Sequence, residues 1–236
     1  MIYVDLPSNE TQKLSFYLAM EEFVARNLTE KDDYFFMWQV EPSVIFGRNQ
    51  VVENEVNIPY CRAHNVQMYR RKSGGGCVYA DMSNVMLSYV TSDENVDVTF
   101  SRYLSMIAEA LRAIGIPAEK NDHNDIMIGE KKVSGNAIYH IPGKNIAHGT
   151  LLYDTDMENM LHAITPSTQK LSKHGVESVR QRICFLKDYT TLSFPEIRQK
   201  LKESLCHKHY MMTQEDIEKT REIEKEYLDE SFIFKT

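Results

Sequence analysis

At 236 residues, with 42% hydrophobic and 26% charged side chains, the chain can bury a sizeable core, and its composition excludes a disordered or low-complexity protein. Its formal net charge of −7 argues against bulk binding of nucleic acid and leaves only local basic patches as anion sites. No apolar run reaches membrane-spanning length, no signal peptide opens the chain, and Cys61, Cys77, Cys184 and Cys206 lack the paired spacing of a disulfide framework or structural zinc site. The expectation is one soluble, cytoplasmic α/β domain over residues 1–236. No nucleic acid, membrane or resident metal is expected among its partners.

In chain order, Met1–Asp5 reads as a short strand. Ser8 or Asn9 can cap a helix running to about Asn27, with Leu14, Tyr17, Leu18, Val24, Ala25 and Leu28 mainly on one face. Phe35–Val40 and Val44–Phe46 have strand length and are separated by Glu41-Pro42-Ser43. Arg48, after Gly47, can reach a ligand or cap a sheet edge. Asn57–Gln67 reads as a loop and short helix.

The run Arg70-Arg71-Lys72-Ser73-Gly74-Gly75-Gly76-Cys77-Val78-Tyr79 holds three of the chain's ten glycines. Such a run lets backbone approach a ligand closely, and its N–H groups can form a concave anion nest. With three cations directly before it, a phosphate or carboxylate would meet both charge and donors. A basic hairpin tip is the plain alternative. Asp81 and Asn84 then shape a turn or contact a ligand, and Val85–Val90 is a strand with apolar residues on both faces. Asp97–Ile114 is a helix with the stripe Phe100, Leu104, Ile107, Leu111 and Ile114, stopped by Gly115 and Pro117.

In Asn124–Ala137, Gly129-Glu130 suits a two-residue hairpin turn. Lys132 and Ser134 are then expected on one face of the returning strand, opposite Val133 and Gly135. Lys132 is either a solvated edge charge or a fixed cation aimed at the same anion as the glycine nest. A strand Ala147–Tyr153 carries His148 before Gly149. Pro166-Ser167 opens a polar connection, and Arg180 and Arg182 follow. Phe194–Leu205 is a helix with Pro195 near its start, and Thr213 caps a last charged helix to about Tyr227, expected to present a solvated face.

The blocks Arg70–Tyr79, Asn124-Asp125-Ile126 with Lys131–Ala137, His148–Leu152 and Ser178–Arg182 stand in the order and at the spacing seen in lipoate–protein ligase A, and the chain resembles that family from about Glu41 to Arg182. The resemblance implies an α/β (α+β) biotin/lipoate protein ligase fold, a class II synthetase-like mixed sheet with flanking helices. It implies activation of lipoate by ATP with Mg²⁺ to lipoyl-AMP, then transfer to a lysine of lipoyl domains in 2-oxoacid dehydrogenase E2 subunits or the glycine cleavage H-protein. By motif, Lys132 matches the catalytic lysine contacting the carboxyl and phosphate oxygens. The adenylate-binding positions are Arg71, Ser73, Gly74, Gly75, Gly76, Cys77, Val78, Tyr79, Asn84, Asp125, Ser134, His148 and Gly149. Val44, Phe46, Met68 and Tyr79 are candidates to line an acyl tunnel and equally good core residues.

Three departures stand out. Ala80-Asp81-Met82-Ser83-Asn84 replaces the family's His-Asp-x-Gly-Asn, and Ala147-His148-Gly149-Thr150 its His-His-Gly-Thr. The chain ends near Ser231–Thr236, where the family's C-terminal accessory domain would begin. The expectation is therefore a ligase that uses a separate accessory polypeptide, accepts preformed lipoyl-AMP, or acts alone. Two alternatives are a lipoyl or octanoyl transferase working through a cysteine thioester and a non-catalytic lipoyl-adenylate-binding protein. The first needs an activated thiol, and neither the His123–Asp125 segment nor Thr165–Ser167 supplies a cysteine.

Overall fold

Asn84–Thr91 (β6) is buried along its whole length, and with apolar residues on both faces it takes a central place in the sheet. Val85, Leu87 and Tyr89 feed one core and Met86 and Val90 the other. The structure, a computed structural model, describes residues 1–93, 95–164 and 182–235. The expected connection at Pro166-Ser167 and the Ser178–Arg182 block lie outside the described residues, apart from Arg182.

The other strands are β1 (Ile2–Asp5), β2 (Tyr34–Trp38), β3 (Ser43–Phe46), β4 (Gln67–Arg70), β5 (Val78–Ala80), β7 (Glu119–Lys120), β8 (Asp125–Ile128), β9 (Lys131–Ile141), β10 (Lys144–Leu152) and β11 (Lys208–Met211). The helices are α1 (Leu14–Asn27), α2 (Val52–Glu55), α3 (Ile58–Ala63), α4 (Val96–Ala113), α5 (Met157–Ala163), α6 (Phe194–Leu205), α7 (Gln214–Leu228) and α8 (Glu230–Ile233). A large mixed sheet runs β11-β1-β2-β6-β10-β9-β8-β7, and a small one runs β4-β3-β5. Helices α1 and α7 cover one face of the large sheet; α4 and α6 cover the other. The small sheet packs its outer face on α2, α3, α5 and α8.

Local signals place most of these elements. Asn95 caps α4 by accepting from Val98 N–H at 3.0 Å, and Ser193 with Glu196 forms a capping box on α6. Gly129, at φ +58°, turns β8 into β9.

Four expectations change. Helix α1 begins at Leu14 rather than after Ser8 or Asn9, because the Ser8 hydroxyl accepts from Glu10 N–H and closes a local turn instead. Helix α1 is buried from Leu14 to Ala25 on all sides, since α7 covers the face turned away from the sheet. The charged helix α7 is thus more than a solvated face: Glu224 accepts from Ser15 Oγ at 2.6 Å, and the Tyr227 hydroxyl bonds Glu22.

The fourth change is at β9. A bulge opposite Ile126/Met127 puts Val133 and Ser134 consecutively on the α4 face, so Lys132 lies over Gly135 rather than sharing a face with Ser134. A Cβ on Gly135 would stand 2.8 Å from both Cε and Nζ of Lys132.

Glu22 makes this layer sensitive to acid. Burial works to raise its pKa, but hydrogen bonds from Lys72, Tyr227 and Arg26 and the Lys72 charge hold it below the ordinary 4.5. A depressed carboxylate contributes stability above its unfolded value and loses it as pH falls through the folded one. Glu22→Gln is therefore expected to lower the thermal midpoint at pH 7 and to flatten its decline below about pH 4.5, read by thermal melts across pH.

Candidate active site

Between the two sheets lies a cavity of about 210 Å³. Its walls come from α1 (Leu18), the strand residues Trp38, Ile45 and Met86, the glycine loop, Lys132 with Gly135 on β9, and His148 on β10.

Arg71 builds the loop. Its Nε donates to Ser73 Oγ at 3.0 Å, Nη1 to Ile45 O at 2.8 Å, and Nη2 to Gly74 O at 2.7 Å and Gly76 O at 2.8 Å. Burial pushes the guanidinium down to about 10, so it stays charged at neutral pH. With the carbonyls of Gly74 and Gly76 on Arg71 and that of Gly75 on Gln50, the N–H groups of Gly74, Gly75 and Gly76 have no acceptor among the described residues. Gly75 and Gly76 line the cavity, where such N–H groups can donate to an anion. The loop rests against the residue that follows β3, where a Cβ on Gly47 would sit 2.0 Å from Gly75 O; only glycine fits.

The cations expected to meet a ligand divide sharply. Arg70 is almost fully buried and donates to carbonyls of Gly47, Arg48, Gln50, Phe232, Ile233 and Lys235, which ties the C-terminal segment to the loop. Lys72 pairs with Glu22 and Glu226, both at 2.7 Å. Arg48 is exposed and lies outside the cavity lining. Lys132 remains: it lines the cavity, is held by Asp125 at 2.7 Å, and keeps its side chain 37% exposed.

Of the expected site residues, Arg71, Gly75, Gly76, Cys77, Val78, Lys132, His148 and Gly149 line the cavity. Gly74 and Ser73 support it from behind, and Asp125 holds Lys132. Three stand elsewhere. Ser134, fully buried on the far face, donates to Asn136 Oδ1. Asn84, fully buried, accepts from Thr155, while Asp81 accepts from the Ser83 and Asp156 N–H groups and so shapes the turn. Tyr79 packs in the small sheet's outer core.

The acyl-tunnel candidates shift by one residue for the same reason. Val44, Phe46, Met68 and Tyr79 face that outer core, and strand alternation turns Ile45 and Val78 to the cavity.

Sequence reasoning missed Leu18, Trp38, Met86, Asn136 and Thr150 in the lining, and Glu21 beneath it. The chain's one tryptophan and a Glu-Glu pair inside an otherwise apolar helix were the available signals.

Cys77 lines the cavity, yet burial pushes its thiol up to about 12, against a smaller opposing pull from Arg71. A thiol held protonated is a poor nucleophile. Cys77→Ser is accordingly expected to retain acyl transfer in a single-turnover assay; complete loss would revive a thioester route.

The family model of the lipoyl protein ligase A/B catalytic domain matches residues 13–206. Lipoate–protein ligase 1 of Staphylococcus aureus is 35% identical over 208 residues, covering 85% of this chain and 63% of its own length. A bi-partite lipoate protein ligase of Thermoplasma acidophilum, solved in a study of that ligase and its E2 lipoyl domain, superposes with a TM-score of 0.85 at 26% identity, over 99% of this chain and 95% of the other. Lipoate-protein ligase A bound with ATP superposes with a TM-score of 0.82 at 25% identity, over 99% and 97%. The mixed sheet with flanking helices is thus the biotin/lipoate ligase fold, and the chain belongs to the lipoyl protein ligase A/B catalytic domain family.

Proposed function

We propose that the chain is the catalytic part of an ATP-dependent lipoate–protein ligase. It joins the lipoate carboxylate to the α-phosphate of ATP, releasing pyrophosphate, and then passes the lipoyl group to one lysine of a lipoyl domain, forming an amide and releasing AMP. The observation that carries this reading is that one cavity combines an apolar lining with a cation and a glycine loop. Leu18, Trp38, Ile45, Val78 and Met86 supply an apolar wall, and Lys132 shares the lining with Gly75 and Gly76 of the glycine loop.

A fatty-acyl tail ending in a carboxylate matches that combination. When the carboxylate oxygen attacks the α-phosphorus, charge gathers on the oxygens shared between them. Lys132 and the loop donors are already in place for that charge, so little reorganisation is needed in the reaction. Asp125 holds Lys132 in position, and the apolar wall aligns the acyl chain for attack without a protein nucleophile.

Among the described residues no cluster of three or more metal-ligating side chains exists. Mg²⁺ suits this site as an ion carried on phosphate oxygens, which needs one or two carboxylates at most. Asp125 is the carboxylate that would hold it, sharing with the ion the oxygen that pairs with Lys132. When bound, the ion would neutralise charge on the phosphates.

The acceptors in this reading are E2 lipoyl domains and the glycine cleavage H-protein, and the setting is cytoplasmic. No helix among the described residues is long and apolar enough to cross a membrane. The chain spans 63% of the Staphylococcus relative, and the Thermoplasma ligase is bi-partite, so a separate accessory polypeptide is the partner to test for adenylation. The test is lipoate-dependent exchange of labelled pyrophosphate into ATP by the purified chain with Mg²⁺. Exchange supports adenylation by this chain alone. Its absence, together with no transfer from supplied lipoyl-AMP, contradicts the ligase reading.

A further inference from the structure

Glu21 is fully buried in α1 and has no lysine or arginine partner among the described residues. It lies over a cross-strand pair, Ser88 on β6 and His148 on β10. Ser88 Oγ donates to Glu21 Oε1 at 2.6 Å and accepts from Trp38 Nε1 at 2.9 Å. His148 Nδ1 is 3.0 Å from Glu21 Oε1 and 2.9 Å from Oε2, while its Nε2 is 2.6 Å from Ser73 Oγ. Ser73 Oγ also accepts from Arg71 Nε.

The donors fix the direction of this chain. Arg71 has only hydrogens to offer, so Ser73 accepts there and its own hydroxyl hydrogen must go to His148 Nε2. The imidazole then carries its proton on Nδ1 and donates to Glu21. With the proton on Nε2 instead, Ser73 would receive two donors and its hydrogen would have no acceptor in a fully buried position. The Nδ1 lone pair would also face the carboxylate. An imidazolium would leave the same orphaned Ser73 hydrogen.

We propose that Glu21 is a positioning residue that holds His148 in its Nδ1–H form and, through Ser73 and Arg71, fixes the glycine loop; the catalytic consequence rests on the ligase reading above. Glu21 does not touch the reacting atoms. It sets the acceptor on His148 that orients Ser73, and Ser73 orients the Arg71 fork that holds the Gly74 and Gly76 carbonyls. The glycine loop owes its placement to that fork.

The test joins nitrogen NMR of the histidine rings with kinetics. The His148 signal is assigned by its loss in His148→Gln, and spectra are recorded without substrate at neutral pH. The wild-type ring is expected to show a pyrrole-type Nδ1 and a pyridine-type Nε2. Glu21→Gln removes the charge and one of the two acceptor oxygens facing Nδ1, and is expected to raise the Nε2–H fraction of the ring above its wild-type level. It is also expected to lower the rate constant for transfer from lipoyl-AMP by about 10- to 100-fold, the range for partners behind the reacting groups, with KM changing far less. Ser73→Ala is expected to lower the same rate constant while leaving His148 Nδ1–H intact. The double variant should be no slower than the slower single one.

A wild-type ring protonated on Nε2 or on both nitrogens overturns the proposal. So does a Glu21→Gln protein that loses stability but keeps its transfer rate, or a double variant whose losses multiply. If Glu21→Gln does not fold, the wild-type spectrum and Ser73→Ala decide. The spectrum needs no turnover, so the proposal and the ligase reading fail separately.

Discussion

Lys132→Ala is expected to reduce acylation of an apo lipoyl domain by at least about 10²- to 10³-fold, the loss typical of removing one preorganised donor from developing charge. The fold should survive. The ion pair with Asp125 is partly exposed, with side chains 37% and 21% accessible, and such pairs contribute about 0–1 kcal/mol. The melting temperature of Lys132→Ala should therefore stay within about 4 °C of wild type. Lys132→Arg should recover little, because the broader guanidinium must occupy the tight space over Gly135. A variant that melts normally and still acylates at the wild-type rate would remove Lys132 from the chemistry.

Arg71→Met should damage both stability and activity. The substitution keeps the apolar stem but leaves the carbonyls of Ile45, Gly74 and Gly76 and the Ser73 hydroxyl without their donor. An orphaned buried group costs about 1–3 kcal/mol, and part of this loop can recover water, so a net loss of about 2–4 kcal/mol is expected. That corresponds to a fall of roughly 5–15 °C in a chain of this size. Activity should drop at temperatures where the variant is still folded, because the loop N–H groups lose their fixed direction. Unchanged melting would mean that Arg71 serves a ligand rather than the loop.

This role for Arg71 shows where the sequence was legible. The glycine run, the lysine after the Gly129 turn and the capped helices are local patterns, and each is written within a few neighbouring residues. Which basic residue meets a ligand is decided by distant partners. Arg70 bonds carbonyls near the C-terminus, and Lys72 bonds Glu22 and Glu226 from two helices. No spacing rule in the Arg70–Tyr79 run reveals those contacts.

The bulge at Val133 escaped for a related reason. A one-residue insertion in one strand reverses the facing of every later residue, and it shows only in the pairing with β8. The apolar wall of the cavity was hidden because β3 and β5 are apolar on both faces. Alternation there separates Ile45 from Val44 without saying which side holds the cavity. Glu21 left a clearer trace, a charge inside a helix buried all round, and that pattern can be sought in other sequences.

In the proposed ligase one cavity serves both activation and transfer. Its most direct test is the intact mass of an apo lipoyl domain after incubation with the purified chain, lipoate, ATP and Mg²⁺, beside a parallel reaction given lipoyl-AMP. Addition of a single lipoyl group is expected from lipoyl-AMP, slowed at least about 10²-fold by Lys132→Ala. No added mass from lipoyl-AMP on a lipoyl domain that a known ligase modifies would contradict it.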